Sequence, residues 1–148
     1  MQFQQLHPSA NLMNKLPTNL KVLECIYSEY KKDFHKISRD DPEGISKIYV
    51  PIDVRHIAQK LGTDEYELFG RLYYQLDQKY RYKQDNGSLV HLFAFKVGKD
   101  PHCINYPYLA AVLSEYRTED KRNRWALWIS VGSLALAGAS IIAQIVAA

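Results

Sequence analysis

Charge is absent from the last 24 residues of this 148-residue chain. All 35 charged residues, 19 basic and 16 acidic, lie in positions 1–124, and Trp125 to Ala148 holds 18 apolar residues, three Ser, two Gly and one Gln. That division excludes a purely soluble domain. Cysteine is scarce too. Cys25 and Cys103 are too few for a disulfide scaffold, and the N-terminal residues lack the pattern of a secretory leader, so a reduced, cytosolic head is expected. No segment of the head carries a basic surplus large enough to mark a nucleic-acid surface by electrostatics alone. Catalytic signatures are equally missing. His7, His35, His56, His91 and His102 share no ligand spacing, His102-Cys103 lacks paired partners for zinc, no glycine-rich phosphate loop is present, and Ser88 and Cys103 have no identifiable base. The expectation is a protein that is not an enzyme and has neither cofactor nor metal.

What is present begins with the uncharged C-terminal run. As a helix it reaches about 36 Å, enough for a hydrocarbon core of about 30 Å. Its nine Leu, Ile and Val residues contribute roughly −3 to −5 kcal/mol to insertion. Lys121, Arg122 and Arg124 precede the run and only the terminal carboxylate follows it, so the expected topology is single-pass and tail-anchored, with the N-terminal domain cytoplasmic. Trp125 and Trp128 share one helical face and suit the headgroup layer. Ala135, Ala139, Ala143 and Ala147 recur every four residues, and Ser140 and Gln144 form an i, i+4 polar pair; together they suggest a homo-oligomer formed through the span. The polar pair can equally bond to its own backbone.

The head divides into an arm over 1–17, a domain over 18–116 and a polar spacer over 117–124 that contains neither Gly nor Pro. Leu20, Leu23, Tyr27, Tyr30 and Phe34 predict a first helix from Asn19 to Phe34, and Ser38 to Gly44 reads as a loop. Lys47 to Ile52 is a short strand-like run. Asp53 is placed to cap a helix that ends at Leu61, with Gly62 as its left-handed stop. Asp64 and Glu67 offer a capping-box-like start to a third helix, in which Phe69, Leu72, Tyr73, Leu76 and Tyr80 keep helical spacing. Two strand-like runs then flank Asp85-Asn86-Gly87-Ser88, where Asn-Gly predicts a type I′ hairpin; alternation turns Tyr80 and Tyr82 to the core and Arg81 and Lys83 to water. Leu109, Val112, Leu113 and Tyr116 form a last amphipathic stripe, with Pro107 suited to be its first helical residue, and the spacer can carry that helix into the span.

The resulting class is α+β: helix, short strand, helix-turn-helix, hairpin and helix, followed by one transmembrane helix. Over residues 18–96 this order resembles the winged helix-turn-helix superfamily, and Ile52-Asp53-Val54-Arg55-His56-Ile57-Ala58-Gln59-Lys60-Leu61-Gly62 is similar to its second helix and turn glycine. The resemblance implies that the third helix and the wing carry the contacts. Those positions are Glu65, Tyr66, Arg71, Tyr74, Gln75 and Gln78 on the helix and Arg81 and Lys83 on the wing. Glu65, Glu67 and Asp77 would oppose phosphate, so a protein is the expected partner and DNA the alternative. Tyr66 and Tyr74 leave the apolar stripe and suit a partner's surface. Membrane lipid is the other expected partner. Three functions compete: an anchored module that binds a protein, a membrane-perturbing effector of toxin or phage-defence type, and a membrane-tethered transcription regulator.

Overall fold

The computed structural model describes residues 16–40 and 48–147; the N-terminal arm before Leu16 lies outside them, and of the loop expected over 38–44 residues 38–40 are helical instead and 41–44 lie outside the described residues. Helix α1 (Asn19–Asp40) starts where the Thr18 hydroxyl accepts the Lys21 N–H at 3.2 Å. It runs six residues past Phe34, because nothing before Pro42 breaks a helix. Its deepest residues are Val22, Leu23, Ile26 and Tyr30, so the buried stripe sits slightly aside from the predicted one and leaves Leu20, Tyr27 and Phe34 half-buried.

Strand β1 (Tyr49–Pro51) leads into α2 (Val54–Leu61), which is closed at both ends as its sequence predicts. Asp53 accepts the His56 N–H at 3.0 Å, and Gly62 takes φ 65°. A Cβ at Gly62 would meet no atom within 4 Å, so the penalty for a side chain there is conformational. Gly62→Ala should therefore lower stability by about 1–2 kcal/mol without altering the fold. A fall in the urea midpoint of the full chain in micelles, at unchanged slope, would show it; an unchanged midpoint would refute it.

Helix α3 runs from Glu65 to Tyr80 in three registers: α over Glu65–Gly70, π over Arg71–Asp77 and α over Gln78–Tyr80. Asp64 accepts the N–H groups of Tyr66 and Glu67 at 2.8 and 3.1 Å. The reciprocal half of a capping box is not formed, since the Glu67 carboxylate accepts the Thr63 hydroxyl instead. The π segment buries Leu72, Tyr73, Leu76 and also Asp77. The last corrects the sequence reading of Asp77 as an outward acid. Its Oδ1 accepts the N–H groups of Leu92 and Phe93 at 2.8 and 3.0 Å, and its Oδ2 lies 2.8 Å from His91 Nδ1. A charge with three such partners tolerates burial that a free one would not.

The expected hairpin is present but small and differently turned. Strands β2 (Tyr82–Lys83) and β3 (Leu89–Val90) pair around it. Gly87 has φ 85°, Asn86 does not have positive φ, and the Gly87 N–H donates to the Gln84 carbonyl at 2.9 Å. That is a type I turn followed by a glycine bulge, not type I′, because Asp85 adds a third residue to the loop. Tyr82 is also corrected: it is 48% exposed, with its edge on the Tyr108 ring at 5.7 Å.

The main sheet comes after this ribbon. Strand β4 (Phe93–Val97) turns through Gly98-Lys99 into β5 (Asp100–Asn105), and β1 joins the far side of β5 to give the antiparallel order β1-β5-β4. Gly98, at φ 60°, occupies the first position of a two-residue turn, where a type II′ hairpin needs glycine. Helices α1, α2 and α3 and the start of the C-terminal helix enclose one core with this sheet, centred on Leu23, Ile57, Leu72, Phe93, Ile104 and Leu109.

The C-terminal helix (Tyr106–Ala147) is continuous over 42 residues, about 63 Å long. Asn105 caps it, accepting the Tyr108 N–H at 3.2 Å, so Tyr106 and not Pro107 is its first residue. Tyr106, Leu109, Val112 and Leu113 are buried in the head, whereas its apolar end is wholly exposed. Among the described residues it is the one helix long and apolar enough to cross a membrane.

Candidate functional site

A cleft of about 500 Å³ opens where the start of α2 meets the start of α3. Asp53, Arg55, Glu65, Tyr66, Phe69 and His102 are among its lining residues. Local chemistry positions each of them. The Asp53 N–H donates to the Tyr30 hydroxyl at 2.7 Å, which fixes the entry to α2 against α1. Arg55 Nε donates to Glu65 Oε2 at 2.8 Å and ties the two helices across the mouth. On the opposite side of α2, Glu29 joins α1 to Lys60 and His56, and these two hydrogen bonds, that to Lys60 first, hold its carboxyl below the usual carboxylate range.

One polar group of the cleft, the His102 ring, is held by the π segment. Tyr73 Oη lies 2.9 Å from His102 Nδ1. Burial pushes the Tyr73 phenol well above the ordinary tyrosine range, so it stays protonated. His102 has φ 53°, the sole positive value on a non-glycine residue among those described, while its own carbonyl accepts the Ile52 N–H at 2.7 Å.

Aromatic rings continue from this point onto the surface. Phe95 stacks on Tyr73 at 4.2 Å between centroids, and Phe69 lies edge-on to His102 at 6.0 Å and to Tyr74 at 6.1 Å. Tyr66, Tyr74 and Phe95 are 83%, 73% and 54% exposed.

No protein-family model, curated protein or solved structure matches the chain. The site is therefore read from its geometry.

The sequence-predicted contact residues are partly brought together. Glu65 and Tyr66 line the cleft, and Tyr74, Gln75 and Gln78 are exposed further along α3. Arg81 and Lys83 are exposed beyond its end. Arg71 is corrected: its guanidinium donates to the Pro17 carbonyl and is half-buried, so it does not face outward as helical phase suggested. Phe69, Phe95 and His102 were missed as surface-forming residues. The first two look like ordinary core aromatics, and nothing local to His102-Cys103 signals a left-handed backbone. Among the described residues, no group of three or more His, Cys, Asp or Glu is placed to hold a metal ion.

At the other end of the molecule, Lys121, Arg124, Trp125 and Trp128 share one exposed face of the C-terminal helix, with Arg122 exposed beside them. Ala135, Ala139, Ala143, Ala147 and Gln144 are exposed along the apolar part. The Ser140 hydroxyl donates to the Ala137 carbonyl at 2.8 Å, which satisfies it within its own helix. Ahead of the apolar stretch, Arg117 pairs with Glu24 of α1 at 3.0 Å. Lys79 lies over the rings of Tyr80 and Tyr116, 4.8 and 5.3 Å from their centroids, where burial and the bond to Tyr116 push the Tyr80 phenol up to about 12.

Proposed function

We propose that this chain is a membrane-anchored interaction module: a winged-helix-like head binds a protein partner and is coupled, through one stiff helix, to a span that associates with itself. The observation that carries the reading is the continuity of Tyr106–Ala147. Its first turns are part of the head's core and its last 23 residues are apolar and exposed, so a load on the head reaches the span without a flexible joint. Lys121, Arg122 and Arg124 before the span favour a cytoplasmic head.

The winged-helix reading is supported by the order α1, β1, α2, α3 and hairpin, with β1 beside the hairpin's second strand. On this reading β4–β5 is the wing, and the Asn86-Gly87 ribbon is an insertion before it. A protein partner is favoured over DNA because the outward side of α3 offers tyrosines and glutamines while its arginines are engaged, Arg71 by Pro17 and the neighbouring Arg55 by Glu65. Exposed aromatic rings without strong charge are the composition of a protein interface.

The test is affinity purification of the full chain from membranes in mild detergent. A stoichiometric protein that is lost in Tyr66→Ala/Tyr74→Ala, while both forms stay in the membrane fraction, is the expected result. Retention of DNA that falls steeply with salt would replace this reading with the regulator. Collapse of membrane potential on expression, with no partner recovered, would replace it with the effector.

A further inference from the structure

We propose that the face of the C-terminal helix formed by Lys121, Arg124, Trp125 and Trp128 binds an anionic phospholipid, with its phosphate on the two cations, its glycerol backbone against the indole rings and an acyl chain running toward Val131, an assignment that rests on the reading of the apolar end as a membrane anchor. The four residues are spaced three, one and three apart, so one side of the helix carries them all, and together they line a surface recess of about 590 Å³. A second recess, of about 270 Å³, shares Arg124 and Trp128 with the first and continues past Leu127 to Val131. Headgroup and chain therefore have consecutive places on one surface. A free phosphate ion would use only the first of them, whereas indole rings between a cation and an apolar run suit the headgroup layer of a bilayer.

Charge is sorted by face as well. Arg122 shares a different recess with Glu119 and Glu115, three and seven residues before it, so its cation is offset by acids of its own row. Arg117, one turn before Lys121, is taken by Glu24 of α1. Among the described residues Lys121 and Arg124 form no ion pair, with Asp120 or with any other acid, which leaves both cations to a partner. Their order along the helix decides which lipid fits. In a zwitterionic lipid the amine lies outside the phosphate, toward water, and would fall beside Lys121; the indole rings, which could accept a cation on their faces, lie about 6–10 Å further along the axis toward the apolar end. An anionic headgroup brings no positive charge to that place, so two cations meet one phosphate without opposition.

Trp125 and Trp128 are the two tryptophans of the chain, so tryptophan fluorescence reports this face alone. The full chain is reconstituted in phosphatidylcholine vesicles containing a minor fraction of lipid brominated on its acyl chains, either phosphatidylglycerol or phosphatidylcholine, and quenching is compared between the two. The expected result is stronger quenching by the brominated phosphatidylglycerol, with a relative affinity about tenfold or more above phosphatidylcholine, since each cation near an anionic surface contributes roughly fivefold. Lys121→Gln/Arg124→Gln should bring the two lipids to parity, and Lys121→Gln alone should cut the preference about fivefold. Arg122→Gln should change it by less than about twofold, because Glu115 and Glu119 already offset that charge. All three side chains are exposed, so the head stays folded in each variant. Equal quenching by both lipids in the unaltered chain, a preference that survives in Lys121→Gln/Arg124→Gln, or a loss in Arg122→Gln as large as that in Lys121→Gln would each overturn the proposal while the anchor stands. Absence of quenching by either lipid would overturn it together with the membrane reading.

Discussion

Replacing Asp77 with Ala is expected to destabilise the head by about 3–5 kcal/mol. Asp77 is 5% exposed, and three groups from one short segment, the N–H groups of Leu92 and Phe93 and the ring of His91, depend on its carboxylate. Alanine would leave two buried N–H donors without an acceptor, each at a cost of about 1–3 kcal/mol, and a cavity beside them. Asp77→Asn separates the causes. It keeps a carbonyl oxygen for the two amides but loses the charge and replaces the oxygen beside His91 with an NH2 group, so its cost should be about 1–2 kcal/mol. Urea denaturation of both variants in micelles, with amide exchange at Leu92 and Phe93, measures the difference. A loss below about 1 kcal/mol in Asp77→Ala, or exchange unchanged at those two amides, would show that the carboxylate does not organise the junction of β3 and β4.

The same residue shows where the sequence could be read and where it could not. The caps were legible because they are local: Asp53, Gly62 and Asp64 bond to groups within a few residues. The contacts that shape the site span much longer separations, 15 residues from Asp77 to Leu92, 29 from Tyr73 to His102 and 54 from Pro17 to Arg71. Helical phase alone puts an aspartate or an arginine outside, and it has no knowledge of a distant amide or carbonyl that rewards turning it in. Strand β5 was hidden by its own composition, since Asp100, Pro101 and Asn105 all argue against a strand. Proline is tolerated at 101 because β1 pairs only with the later residues of β5, so the strand has one neighbour there. The exposed phase of Tyr66 and Tyr74 was legible; the cleft beside them was not, because His102 enters it from a strand that the sequence did not announce.

Continuity of the C-terminal helix also changes what the polar spacer means. Residues 117–124 are exposed, yet Arg117 is paired with α1 and Lys79 reaches across to the ring of Tyr116, so the head grips the helix up to the first residue of its polar stretch. Rotation or tilt of the apolar end would therefore move Tyr106 and Leu109 against Tyr27, Phe34 and the sheet, contacts within the head's core. A partner bound to α3 and a neighbour packed on the alanine stripe would act on opposite ends of one rigid element.

Such coupling requires the apolar end to reside in a bilayer, and the double variant Leu134→Arg/Leu136→Arg should remove it. Each arginine near the centre of a span costs about 2.5–3.5 kcal/mol, and each lost leucine forfeits about 0.3–0.6 kcal/mol. Against the roughly −3 to −5 kcal/mol available from the nine Leu, Ile and Val residues, insertion becomes unfavourable by about 1 to 5 kcal/mol. Snorkelling offers little relief, since residues 134 and 136 lie some ten residues, about 15 Å, from either end of the apolar stretch. Both side chains are already exposed, at 76% and 75%, so the head should remain folded. The expected result is a chain that moves from the membrane pellet to the soluble fraction after alkaline carbonate extraction, with the head's urea midpoint unchanged. Leu134→Ala/Leu136→Ala, which removes the same leucines without adding charge, should remain in the pellet. If the double arginine variant also stays there, the helix is held by something other than the hydrocarbon core, and the coupling of head to span would have to be sought in a surface-bound or protein-covered helix instead.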